Sequence, residues 1–222
     1  MTKYPILDSS LIKSTIGFVK KKLADAEAGH DWFHTHRVLN NALNIAHNEE
    51  ANLEIVALGA LLHDIADSKF HDGDETVGPA IAQEFLEKHN AGQGLIDHVV
   101  QIINNISYKN SLDGNSVFES KELFIIRDAD RLDAIGAIGI ARCFNYGGYK
   151  NRPFYDPDIP PKLNMTKEEY KSAASPTINH FYEKLLLLKD KMHTDTGRKM
   201  AEKRHAYMLE FLEQFFQEWD GE

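Results

Sequence analysis

The apolar positions repeat with a helical period along almost the whole chain. Ile12, Ile16, Val19, Leu23 and Ala26 recur at three- and four-residue spacing, with lysines on the other side. This predicts a first helix opened by Ser9 or Ser10 and closed by Gly29. Val38, Leu39, Ala42, Ile45 and Ala46 stripe a second helix, and Asn52 is placed to cap a third. That third helix carries the run 55–62, which is apolar throughout and turns abruptly polar at His63-Asp64. Beyond the polar segment 69–75, the period resumes at Val77, Ile81, Phe85 and Leu86 and stops near Asn90-Ala91-Gly92. Residues 95–106 give another helix, followed by a loop over 110–115. A long helix is then expected from Ser120 through Leu123, Phe124, Ile126, Ala129, Leu132, Ile135 and Ile138. Gly136 and Gly139 fall inside it, where close packing would be their reason. The longest loop covers 146–161. Thr166 to Glu169 matches a capping box, and Ser175-Pro176 matches an N-cap with proline at the first helical position. Two helices close the chain, one marked by Ile178, Phe181, Tyr182, Leu185 and Leu188. The other is marked by Tyr207, Met208, Phe211, Leu212, Phe215 and Trp219. No segment alternates over a strand length. The expectation is an all-α protein, a single domain over 1–222, because the apolar helices on both sides of the 146–161 loop need a partner face.

Composition narrows the function classes. The 222 residues are 42% hydrophobic and 27% charged, with a net charge of -9. An acidic balance argues against broad nucleic-acid or anionic-membrane binding, but leaves room for a small phosphorylated substrate in a locally positive pocket. Cys143 is the sole cysteine, which rules out an intrachain disulfide and a cysteine-based zinc cluster. The first residues lack the apolar core of a signal peptide, and no run approaches the ~20 apolar residues of a membrane span. A reducing cytoplasm is the expected compartment.

The chemistry concentrates where apolar runs meet polar residues. A buried helix ending in His63-Asp64 carries an imidazole and a carboxylate to the edge of the core, where both need partners. A divalent metal would satisfy both; a hydrogen-bonded polar cluster at the helix end would do so as well. If the helix continues, Asp67 shares the face of His63 and Asp64. Upstream, His30, His34 and His36 precede the second helix. His30 and His34 are four apart, but Gly29 argues against helix at His30. In the string Arg127-Asp128-Ala129-Asp130-Arg131-Leu132-Asp133, Asp130 lies four residues from both Ile126 and Ala134. It is therefore expected on the buried face, compensated by arginine or a metal. Asp128 and Asp133 are expected to pair with Arg127 or Arg131. Of the eleven histidines, His47, His89, His180, His193 and His205 read as surface or packing residues, His98 as half-buried, and His71 as loop.

These strings resemble a known family. His34-x-x-Arg37-Val38, His63-Asp64 and Ala129-Asp130-Arg131-Leu132 look like the H…HD…D signature of HD-domain metal-dependent phosphohydrolases. His30-Asp31-Trp32, His63-Asp64-Ile65-Ala66-Asp67, Ile106-Ser107-Tyr108-Lys109, Asp128 to Ala134 and the Gly147-Gly148 loop resemble a bacterial subgroup of pyrophosphohydrolase-type or uncharacterised HD proteins. The resemblance covers nearly the whole chain. It implies an HD-type helical bundle, with a metal-binding core over about 25–145 and C-terminal helices packed on it. It further implies that His34, His63, Asp64 and Asp130 ligate one divalent metal, Mn first, with Ni, Co, Fe, Zn or Mg as alternatives. His34 is chosen over His30 and His36 because it alone has Arg-Val at the right offset. A second metal is not expected, since His98 is the one histidine in the middle helix.

The activity so implied is attack of a metal-bound hydroxide on phosphorus in a nucleotide, with a nucleoside triphosphate pyrophosphohydrolase as first choice. Asp64 would serve as ligand and catalytic carboxylate. Asp67 would orient or deprotonate the water, or support His63 through a hydrogen bond. Arg37, Lys69, Lys109, Lys150 and Arg152 are the candidates to hold phosphate oxygens. Tyr149, Phe154 and Tyr155 could stack a base or pack on the domain. The alternatives are a nucleoside monophosphatase, a cyclic-nucleotide phosphodiesterase, a non-catalytic nucleotide- or metal-sensing module, or a purely structural helical protein. A homodimer is left open.

Overall fold

The computed structural model describes residues 3–24, 26, 29–66, 74, 76–106, 118–163 and 175–222. The described residues are all-α, without a strand, as the periodicity predicts. They fall into two compact units, Met1–Asp130 and Arg131–Glu222. The expected loop over 110–115 and the capping box at Thr166 lie outside the described residues.

In the first unit a 3-10 turn (Pro5–Asp8) leads into α1 (Ser10–Lys22), α2 (Trp32–Asn48), α3 (Leu53–Leu62), α4 (Val77–Lys88) and α5 (Gln93–Asn105). The helix α6 (Lys121–Asp133) begins in this unit. Helix α3 is the centre, packed by α1, α2 and α5. Its sequence gives the reason: a helix apolar all round belongs inside a core, and every residue from Val56 to Leu62 is buried. Asn52 caps it as expected, its side chain accepting from the backbone N–H of Glu54 and Ile55 at 3.0 and 3.2 Å. Gly59 lets α5 and α6 come close. A Cβ there would stand 2.5 Å from Ile126 Cδ1 and 3.4 Å from Ile102 Cγ2. Asn41 Nδ2 on α2 donates to the Ala129 carbonyl on α6 at 3.3 Å. Helix α1 is shorter than predicted. It ends at Lys22, and Gly29 lies in the following turn at φ +123°.

The long helix expected from Ser120 through Ile138 is two helices. Helix α6 stops at Asp133, Ile135 is extended, and Gly136 takes φ +75° as the first residue of α7 (Gly136–Tyr149). Positive φ is cheap only for glycine, so Gly136 marks a turn; the expected close packing holds as well, since a Cβ there would stand 2.9 Å from Arg204 Cγ. Gly139 also serves close approach: a Cβ there would collide with the Ala134 carbonyl.

The second unit holds α7, the short α8 (Asn179–Glu183), a 3-10 turn (Leu185–Lys191) and the long α9 (Asp195–Asp220). The expected helix start at Ser175-Pro176 does not form. The helix begins at Asn179, and Ser175 Oγ donates to Glu183 Oε2 at 3.1 Å. Thr194 caps α9 by accepting from the Gly197 N–H at 2.9 Å, and Gly221 at φ +83° ends it. Aromatic rings fill the space between elements. Phe144 meets Phe154, Phe181 and Phe211, and Tyr155 stands edge-on to Phe215, Phe216 and Trp219. Tyr155 is therefore packed on α9, while Tyr149 and Phe154 stay 72% and 60% exposed.

Two stability predictions follow from these elements. Asn52→Ala removes the cap of α3 and should cost about 1 kcal/mol, read as a lower denaturant midpoint. In the second unit, burial holds His180 down to about 4, helped by the cations of Lys184 and Arg152. Its folded value lies below the unfolded one, so the unfolded chain binds the extra proton first. Stability present above the unfolded value of about 6.5 is lost as pH falls towards 4, by up to ~3 kcal/mol. His180→Asn should flatten that part of the melting temperature's pH profile.

Candidate metal centre

The centre is built from the ends of two helices and the face of a third. Helix α3 stops at Leu62, and His63 is its C-terminal cap at φ -57°. Its Nδ1–H donates to the Ala60 carbonyl at 2.9 Å, one of the last carbonyls left without a helical partner. Nδ1 is thereby engaged by the backbone, and Nε2 is the nitrogen open to a ligand. His34 is the third residue of α2. Asp31 caps that helix, its Oδ1 accepting from the His34 N–H at 2.8 Å, so the first turn is fixed where His34 must stand. Both imidazoles are buried, at 3% exposure for His34 and 9% for His63, and their ring centroids are 5.5 Å apart.

Asp130 completes the group from α6. Its Oδ1 is 3.5 Å from His34 Nε2. One ligand atom each from His34, His63 and Asp130 all lie within 4.8 Å of one another. Donors at about 2.0–2.2 Å from one ion stand about 3–4 Å apart, so small side-chain shifts close this set around a divalent cation. Two imidazoles and a carboxylate suit a borderline transition metal.

Asp64 is placed beside this group, not within it. Its Oδ2 accepts from His30 Nδ1–H at 2.5 Å. Burial alone would raise its pKa. The hydrogen bond from His30 and the fields of His63, His30 and His34 outweigh burial and hold the carboxyl well below its usual range. His30, not expected among the ligands, thus stands beside the centre through Asp64 and His34. Its signal was the four-residue step to His34, and the two rings are 6.0 Å apart edge to face.

The string around Asp130 differs from expectation. The Asp130 side chain is 45% exposed, so it does not sit on the buried face. The buried carboxylates are Asp128 and Asp133, at 0% and 1% exposure. Asp133 pairs with Arg142. Arg127 donates to the Asn105 carbonyl, and Arg131 to that of Lys191. Arg37 follows His34 by one turn of α2 and is half-buried. In the second unit Lys150 Nζ lies 4.8 Å from the Tyr149 ring centre, and the Arg152 guanidinium 5.6 Å from that of Tyr146. His98 is half-buried as expected, its Nε2 3.0 Å from Ser120 Oγ and 3.6 Å from Glu122 Oε2. Asp67, Lys69 and Lys109 lie outside the described residues.

Comparison with known proteins gives a consistent family. The sequence profile of the HD domain matches residues 32–135, a span containing His34, His63, Asp64 and Asp130. The Bacillus subtilis protein YpgQ is 38% identical over 208 residues, which cover 92% of this chain and 91% of YpgQ. A crystal structure of an HD-superfamily hydrolase from Bacillus thuringiensis superposes with a TM-score of 0.76 at 42% identity, covering 95% of this chain and 97% of that one. The crystal structure of YpgQ in complex with ADP superposes with a TM-score of 0.73 at 32% identity, covering 95% and 98% of the two chains.

The exposure contrast within α6 is testable. Asp130→Ala should leave stability within about 1 kcal/mol of wild type, since a half-exposed carboxylate is cheap to remove. Asp128→Ala should cost roughly 2–4 kcal/mol, because it strips a buried charged group from its partners. Chemical denaturation of both variants reads the difference.

Proposed function

The chain belongs to the HD-domain phosphohydrolase superfamily, and on that premise we propose that it hydrolyses nucleotides with the help of one divalent metal. Release of pyrophosphate from a nucleoside triphosphate is the proposed reaction. The observation that carries this reading is the convergence of His34, His63 and Asp130, whose donor atoms lie within 4.8 Å of one another. His34, His63, Asp64 and Asp130 are the proposed metal-holding residues. The donor set fits the ion: the backbone bond of His63 Nδ1 leaves Nε2 available, and Asp64 and Asp130 supply negative charge. Manganese is the first choice, with Ni, Co, Fe, Zn or Mg as alternatives.

When bound, such an ion polarises a phosphoryl group and makes water a competent nucleophile near neutral pH. The protein's own residues do the rest. The buried imidazoles come from rigid helix ends, and the half-exposed Asp130 lies on the side open to solvent. Asp67 is proposed to orient or deprotonate the attacking water, or to support His63. Arg37, Lys69, Lys109, Lys150 and Arg152 are proposed to hold phosphate oxygens; guanidinium groups suit that task through bidentate hydrogen bonds. The nucleotide class is supported by the ADP complex of YpgQ, a protein 32% identical in that comparison. Because ADP carries a phosphoanhydride, that complex favours a di- or triphosphate over a monophosphate. The net charge of -9 fits a small substrate held in a local pocket better than a polyanion spread over the surface.

A nucleotide panel with Mn²⁺ tests the reaction. The expected products are pyrophosphate and nucleoside monophosphate in equal amounts, with turnover abolished by EDTA. Asp130→Ala should lose at least 100-fold in both metal affinity and activity while its circular dichroism stays that of the wild type. Orthophosphate from monophosphates alone would replace the pyrophosphate reading with a nucleotidase. No turnover of any phosphorylated compound with Mn²⁺, Co²⁺, Ni²⁺ or Mg²⁺ would contradict catalysis.

A further inference from the structure

His30 is not one of the four proposed ligands, yet it is the one hydrogen-bond partner of the Asp64 carboxylate among the described residues. We infer that His30 is a positioning residue for the metal: it holds Oδ2 of Asp64 and leaves Oδ1 as the oxygen available to the ion. This deepens the proposed metal reading and rests on it.

Three independent features make His30 a built part of the centre. Gly29 stands at φ +123°, a backbone conformation open to glycine and strained for other residues, so the chain is bent sharply just before His30. Asp31, immediately after it, is pinned as the N-cap of α2 through the His34 N–H. His30 is therefore held between a fixed bend and a fixed helix start. Its ring is also packed edge-on to that of His34, centroids 6.0 Å apart, so the imidazole has a defined place beside the proposed ligands.

The carboxylate needs such a partner. Asp64 follows the last residue capping α3, so no helical backbone fixes its side chain. Its side chain is only 21% exposed, which limits the water available to it. A free carboxylate rotates between orientations, and only some present an oxygen to the ion. A donor on one oxygen restricts that rotation and sets which lone pairs remain. Ligating carboxylates are commonly held in this way, and removing the supporting group typically costs about 10–100-fold in metal affinity.

The test measures Co²⁺ affinity by competition with a chromophoric chelator, on the full chain, with no substrate present. His30→Ala should weaken binding by about 10–100-fold. His30→Gln and His30→Asn keep an N–H donor and should recover most of that loss, which a role in packing alone would not produce. A double-mutant cycle separates the route of action. In the Asp64→Ala background, adding His30→Ala should change affinity less than about twofold. Where His30→Ala lowers the melting temperature, the Gln and Asn variants carry the comparison. Wild-type affinity in His30→Ala, equal weakness in the Ala, Gln and Asn variants, or an undiminished effect in the Asp64→Ala background would each overturn the role of His30. A wild-type chain that binds no Co²⁺ would overturn the metal reading itself, a result distinct from those three.

Discussion

One hydrogen bond at the end of a buried helix organises the centre. Helix α3 is apolar on all sides and so lies inside the first unit, where its last carbonyls have no water to turn to. His63 answers that need by donating Nδ1–H to the Ala60 carbonyl. The same bond engages Nδ1 and leaves Nε2 as the nitrogen open to a ligand. A requirement of helix termination thus supplies the orientation that a ligand requires.

The other members are fixed by comparable local devices. His34 is set by the Asp31 cap in the first turn of α2, and Asp130 by its place on α6, which Asn41 ties back to α2. Side chains carried on helix ends and packed faces keep their geometry better than side chains on loops. The burial is also graded. The imidazoles are enclosed, and Asp130 is half-exposed.

Much of this could be read in the residues. The period of 3.6 gives the helices, the unbroken apolar run gives the burial of α3, and Asn52 gives its start. His63-Asp64 at the end of that run points to the chemistry. The rest depended on three-dimensional facts that periodicity does not carry. Gly136 inside an apolar stripe signals close packing, which Arg204 supplies, but its positive φ also makes a turn that the stripe does not show. The four-residue distance from Asp130 to Ile126 and Ala134 places it on the core face. However, α6 ends at Asp133, so Ala134 no longer marks the same face, and Asp128 and Asp133 take the buried places instead. His30 lies before the helix, where spacing rules lose their meaning, and its bond to Asp64 crosses 34 residues of sequence.

The central claim is that His34, His63, Asp64 and Asp130 hold one metal ion. A crystal of the chain grown with Mn²⁺, with diffraction recorded at wavelengths where manganese scatters anomalously, tests it most directly. The account predicts a single anomalous peak about 2.0–2.3 Å from a nitrogen of His34, a nitrogen of His63 and an oxygen each of Asp64 and Asp130. No peak among these residues at saturating Mn²⁺, or a peak held by other side chains, would contradict it.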